Sequence, residues 1–384
     1  MPVIKVGVSV SLSGQFQTQG LQALAGLQAW AEDVNRADGL AVAGRRNTLK
    51  VVHYDDASVA EGATRATQTL IERDRVDLLF GPYSSGLANA AATVSAEHGQ
   101  VLWNQGGAAD EIYQPGSRVV GTLNGAREYL SELPGLLRSS DPSASTLAIV
   151  RCSAGAFPRQ VSEGMETQAV AQGFTNVIDL EFPPEQSDFS SIVSQLHQAD
   201  PDLLLVVGRI RHDISLCRAL ISQWKTAPRP RATAVVAAGI ARFRTELGSD
   251  VDGFIGPSQW EPPALHDSGI LPCPYIGPSP KQLMVSLECA KHSNGGLPID
   301  YPMAQAYAAG LVAQRCLEEA GTPDPTALWN AAVSLDFHTF FGRFRIDPAT
   351  GKQVGRSVFM VQWQQGRKVV IWPPEYRQAS LQIQ

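Results

Sequence analysis

The 384-residue chain is too long for one ordinary hydrophobic core and suits two domains. Its 31 basic and 37 acidic side chains are scattered to a net charge of −6. That excludes the clustered Lys and Arg on which nucleic acids or anionic membrane surfaces select, so no nucleic-acid partner and only peripheral membrane contact are expected. Charged residues make up 18% of the chain, below the roughly 25% usual for soluble domains, as large buried sheets would require.

From the amino terminus, "VIKVGVSV" alternates Ile4, Val6, Val8 and Val10 with Lys5, Gly7 and Ser9, the period of a strand. The bend "SLSGQFQTQG" leads into a helix over Leu21 to Asp38, with Leu24, Leu27, Ala31 and Val34 at helical spacing. Strand "TLKVVHYDD", helix 60–73, strand "VDLLFG", helix 87–98 and strand "QVLWNQ" follow. After the polar stretch "RSSDPSAST" a second alternation begins: strand "LAIVRC", helix 159–172, strand "VIDLEF", helix 189–199, strand "DLLLVVG", helix 213–224, strand "ATAVVAAG" and strand "GFIGPSQW". Strands alternating with helices predict parallel sheets covered on both faces, in two doubly wound Rossmann-like α/β lobes. A Pro- and Gly-rich loop over 261–280 precedes helices 283–292 and 303–320, and the C-terminal part reads as strands joined by turns. The predicted lobes are residues 1–124 with 257–338, and 125–256 with 339–384, so the chain crosses between them repeatedly, as a hinge.

The five cysteines, Cys152, Cys217, Cys273, Cys289 and Cys316, form no C-x-x-C pair, which argues against zinc and a disulfide framework; a single bridge such as Cys273 to Cys289 is left open. No apolar run reaches the roughly 18 residues of a membrane span. "MPVIKVGVSV" enters a strand directly, so either the protein is cytoplasmic or a leader has been removed.

Ligands of open parallel sheets bind beyond the carboxyl ends of the strands. There the sequence is small and polar: "GPYSSG" after the third strand, "NQGGAADE" after the fourth, "RCSAGAF" opening the second lobe, "GRIRHD" after "LLLVV" and "GPSQWEP" at the return. Ser84 and Ser85 stand where a helix begins, and serines there either cap unpaired amides or join them in holding an anion. Gly107, Ala108 and Ala109 offer main-chain groups. Phe16, Gln19, Tyr83, Phe157, Trp260 and Tyr301 would enclose a ligand or simply pack at a domain edge. Arg209 is read as the holder of a second carboxylate or as half of an ion pair.

Nothing in the chain points to catalysis: G-x-S-x-G, H-E-x-x-H, a Walker loop and a G-x-G-x-x-G between strand and helix are all missing. His212-Asp213 sets a histidine beside an acid, and it reads as surface. No cofactor and no metal are implied.

Through "VGVSVSLSG", "GLQAWAEDVN", "HYDDAS", "GPYSSG", "QAYAAGLVAQ" and "GRFRID", the chain resembles the type I periplasmic solute-binding proteins of the branched-chain amino acid ABC importers. The resemblance implies two α/β lobes joined by three crossover strands, closing on a small ligand and delivering it to permease subunits. It implies that a serine at Ser84 and main-chain groups of the next loop grip the ligand's carboxylate. It also implies a periplasmic location or lipid attachment outside the cytoplasm. Two departures stand out. Ala238 and Gly239 lie where amino-acid binders carry an acid, and Arg209 and Ile210 lie where the family often has an aromatic ring. An unpaired buried ammonium is costly, so either Asp110 or Asp213 approaches it or the ligand carries no amine. The competing reading is a cytoplasmic sensor of the same fold, resembling the amide-responsive regulators.

Overall fold

A computed structural model describes residues 1–225, 227–262 and 273–384. The chain divides into a first unit, Met1–Gly125 with Leu265–Arg356, and a second, Ala126–Ala264 with Ser357–Gln384.

In the first unit the elements run β1 (Val3–Val10), α1 (Gln17–Arg36), β2 (Leu40–Val42), β3 (Arg45–Asp55), α2 (Ala60–Glu72), β4 (Leu78–Phe80), α3 (Ser85–Glu97), β5 (Val101–Asn104) and β6 (Arg118–Gly121). The sheet order is β2-β3-β1-β4-β5-β6, parallel except where β2 turns back on β3. The alternation of β1 buries Val6, Val8 and Val10, and its Gly7 and Ser9 are buried too, because helices cover the second face. Leu70, Leu79, Ala88, Ala91, Leu102 and Ile112 form part of one core between α2, α3 and the sheet. Since β1 is flanked by β3 and β4, strand order reverses beside it, and the carboxyl ends of β1 and β4 form the unit's topological switch point.

The second unit runs α4 (Leu133–Ser140), β7 (Thr146–Cys152), α5 (Ala156–Ala171), β8 (Thr175–Phe182), α6 (Ser190–Ala199), β9 (Leu203–Val207), α7 (Ile210–Gln223), β10 (Ala232–Val235), α8 (Ala241–Leu247) and β11 (Phe254–Ser258). Its sheet order is β15-β14-β11-β10-β9-β7-β8, with β14 (Phe359–Gln364) and β15 (Arg367–Trp372) antiparallel. All five residues of β9 are buried, as expected of a central parallel strand. Here the reversal lies beside β7, so the ends of β7 and β9 form the switch point.

The later part of the chain corrects the predicted lobe boundaries. After α9 (Pro280–Ser293), α10 (Tyr301–Ala320) and α11 (Pro325–Ser334), strands β12 (Phe337–Thr339) and β13 (Gly342–Phe344) form a hairpin that stays with the first unit. Gly121 N–H donates to Gly351 O at 2.8 Å and Lys352 pairs with Asp110 at 2.6 Å, so residues 339–356 belong with the first unit rather than the second. Ser258 pairs with Phe359 on β14, which keeps β11 wholly in the second unit instead of starting the return at 257. All five cysteines are free, so the bridge left open between Cys273 and Cys289 is not formed. Much of the Pro-rich loop lies outside the described residues. No described helix is long and apolar enough to cross a membrane.

Candidate functional site

At the first unit's switch point, Ser84 occupies φ +88°, ψ 144°, a conformation that an L side chain rarely adopts and that costs of order 1–3 kcal/mol. It precedes α3, yet its side chain makes no cap bond. The strain is held by the main chain, since Ser84 N–H donates to Gly106 O (3.0 Å) and Ser84 O accepts the first intrahelical bond from Ala88 N–H (2.9 Å). A side chain at Gly106 would meet Pro82 O at 2.5 Å, so only glycine lets the two loops approach this closely. The capping reading therefore fails for Ser84.

Ser85 acts differently. Its Oγ accepts from Ala108 N–H and Ala109 N–H, both at 3.1 Å. With both lone pairs engaged, the hydroxyl is left to act as a donor, polarised by the two amides and by the positive end of α3. The N–H groups of Ser85, Gly86 and Leu87 precede the first intrahelical bond of α3 and face the same end. Gly107 is less available than expected. Asn104 Oδ1 accepts its N–H (3.0 Å) and Asn104 Nδ2 donates to its carbonyl (2.7 Å), so Gly107 shapes the loop.

Beside the serines lies an aromatic group. Phe16 packs edge-on to Tyr83 at 6.1 Å, and the hydroxyls of Tyr83 and Tyr301 are 2.8 Å apart. Burial raises the Tyr83 pKa, so its hydroxyl stays protonated. Gln19, in the first turn of α1, is buried with its side-chain oxygen lacking a partner among the described residues. Of the acids considered for an ammonium, Asp110 is paired to Lys352.

In the second unit, Phe157 opens α5 and packs edge-on to Tyr129 at 5.4 Å, and the Tyr129 hydroxyl accepts from Gln259 Nε2 (2.9 Å). Trp260, after β11, is buried, and its carbonyl accepts from Ser258 Oγ at 2.9 Å. Arg209 and Ile210 follow β9, both half-buried. The pair read as surface, His212-Asp213, is buried, because the first turn of α7 tucks beneath the strand ends. His212 Nδ1 accepts from Arg209 N–H (3.3 Å), its Nε2–H donates to Pro184 O (2.9 Å), and burial lowers its pKa, so it is a neutral structural tie. Asp213 accepts from Ala237 N–H at 3.0 Å, and its other oxygen lies against Gly208. Burial pushes its pKa up to about 8, which keeps it protonated at neutral pH and useless as a counter-charge.

Ala238 lies in a closed turn rather than on an open rim. Its carbonyl accepts from Trp363 Nε1 (2.8 Å), and the Gly239 carbonyl accepts from Lys368 Nζ (2.9 Å). Lys368 also pairs with Glu261 at 2.6 Å. Sequence reasoning missed Lys368, Glu261, Lys352 and Asn104. Only Asn104 carried a local signal, an Asn directly before two glycines; the others depend on partners far along the chain.

The periplasmic binding protein family model matches residues 3–368. Leu/Ile/Val-binding protein homolog 7 of Brucella suis is 24% identical over 382 residues, covering 96% of this chain and 91% of that protein. Homolog 8 of Brucella abortus is 26% identical over 212 residues, so the match spans about half of that relative's length, 51%, and 53% of this chain. Among solved structures, the leucine-binding protein LivK of Thermotoga maritima superposes with a TM-score of 0.79 at 18% identity, covering 96% of this chain and 97% of that one. A solute-binding protein of R. palustris in complex with 4-hydroxybenzoate gives 0.77 at 18% identity, covering 96% and 95%. LivJ of Streptococcus pneumoniae in complex with isoleucine gives 0.77 at 16%, covering 95% and 97%. At these identities the structural likeness speaks for the fold alone.

Proposed function

From its membership of the periplasmic binding protein family, whose members are solute receptors and not enzymes, we propose that this chain is the extracytoplasmic receptor of an ABC importer. It captures a small carboxylate-bearing solute, an amino acid or related organic acid, between its two lobes and presents it to membrane permease subunits. The observation that carries this reading is the end of β4, where a strained Ser84 with an uncapped hydroxyl, the donor hydroxyl of Ser85 and the first amides of α3 converge. Charge-assisted hydrogen bonds of this kind contribute about 1.5–3 kcal/mol each. Closure follows from linkage: a ligand touched by both lobes favours the closed state by its differential affinity for it.

Isothermal calorimetry with a panel of amino acids and organic acids tests the reading. Binding of at least one carboxylate, weakened by about 1–3 kcal/mol in Ser84→Ala, is the expected result. Unchanged affinity in that variant removes the serine cradle from the mechanism. The location is tested separately, by an export signal or lipid-attachment cysteine encoded upstream in the gene and by recovery from the periplasmic fraction.

A further inference from the structure

The carboxyl ends of the second unit's central strands carry a charge arrangement that narrows the solute class. Among the described residues, the acids in the segments that follow β7, β9, β10 and β11 are Asp213 and Glu261. Asp213 is buried beneath Ala237 and Gly208, and Glu261 is paired with Lys368. The turn at 238–239 has no room for a replacement, because a side chain at Gly239 would meet Pro257 O at 1.8 Å. Arg209 stands apart. It follows β9 at the switch point, it is half-buried, and no acceptor, carboxylate or ring among the described residues engages its guanidinium, whereas its neighbour Arg211 donates to Pro184 O. A half-buried guanidinium without a partner is a cation in want of an acceptor.

In the first unit each acid at the strand ends has hydrogen-bond or ionic partners of its own. Asp55 accepts from Leu12 N–H and Ser13 Oγ, and Asp56 from Ser9, Ser11 and Ser58. Asp110 is paired with Lys352, while Glu111 and Asp300 are partnered as well. At the second unit's strand ends an ammonium would be desolvated without a free counter-charge, whereas an anion meets the Arg209 guanidinium.

We propose that the solute is an organic anion without an ammonium group and that Arg209 is the specificity-determining residue that engages one of its acceptor groups. The inference rests on the carboxylate-receptor reading given above. Matched pairs test it on the full chain by calorimetry: leucine against 4-methyl-2-oxopentanoate, phenylalanine against phenylpyruvate, with benzoate and 4-hydroxybenzoate as further amine-free acids. The expected result is that an amine-free acid binds about tenfold or more tightly than its amino counterpart. Arg209→Gln weakens that binding by about tenfold and Arg209→Lys restores part of it, with the melting temperature of the unliganded protein unchanged. Tighter or equal binding of the amino acids, or no loss in Arg209→Gln, overturns the proposal while leaving the carboxylate receptor intact. Binding of none of these compounds overturns the receptor reading itself, and this inference with it.

Discussion

At the scale of single residues, function and stability pull against each other at Ser84. Its φ of +88° suits glycine, so Ser84→Gly is expected to raise stability by about 1 kcal/mol in urea denaturation while lowering solute affinity. A loss of stability instead shows that the serine side chain holds the bend. Asp213 makes a prediction about pH. Its pKa rises from 3.8 in the unfolded chain to about 8 in the fold, because burial disfavours the carboxylate. The folded state therefore keeps a proton that the unfolded state has released. The stabilisation is full below about pH 3.8, declines as pH rises through the window between the two values, and is lost above about pH 8. Asp213→Asn, which keeps an acceptor for Ala237 N–H, is expected to flatten the pH dependence of unfolding free energy across that window. An unaltered slope shows that other groups set it.

At the scale of elements, local chemistry decided what could be read in advance. The alternation of β1, the apolar run of β9 and the periodicity of α1 mark themselves in the sequence, although β1 buries its second face as well. Helix α11 is short and is marked chiefly by its start: Asp324 caps Thr326 and Ala327 (3.0 and 2.9 Å) and proline takes the first turn. Strand β6 is too short to show a period, and β5 and the Gly351 carbonyl fix it instead. The candidate residues of the strand ends were legible as a class, because small and polar residues follow each parallel strand. Their assignments were not, since Ser85 on Ala108, Lys352 on Asp110 and Lys368 on Glu261 are tertiary pairings without a sequence signature. The turn between β10 and α8 is tightly fixed against β11. Gly239→Ala forces a methyl into Pro257 O and is expected to cost about 3 kcal/mol of chemical stability. Wild-type stability in this variant refutes the close packing of that turn.

At the scale of the whole molecule, a solute that binds only the folded chain raises its melting temperature. At a hundredfold excess over Kd the gain is about 2.7 kcal/mol, readable by calorimetry. The division into two units also has an outcome for synthesis. Each unit is assembled from separated stretches, and the second sheet is completed by β14 and β15, which follow the whole later stretch of the first unit. A nascent chain that has emerged as far as α8 has finished neither unit, so ribosome-bound intermediates should stay protease-sensitive until β14 and β15 have emerged. Such a chain postpones the collapse of its second unit until both of its stretches are present.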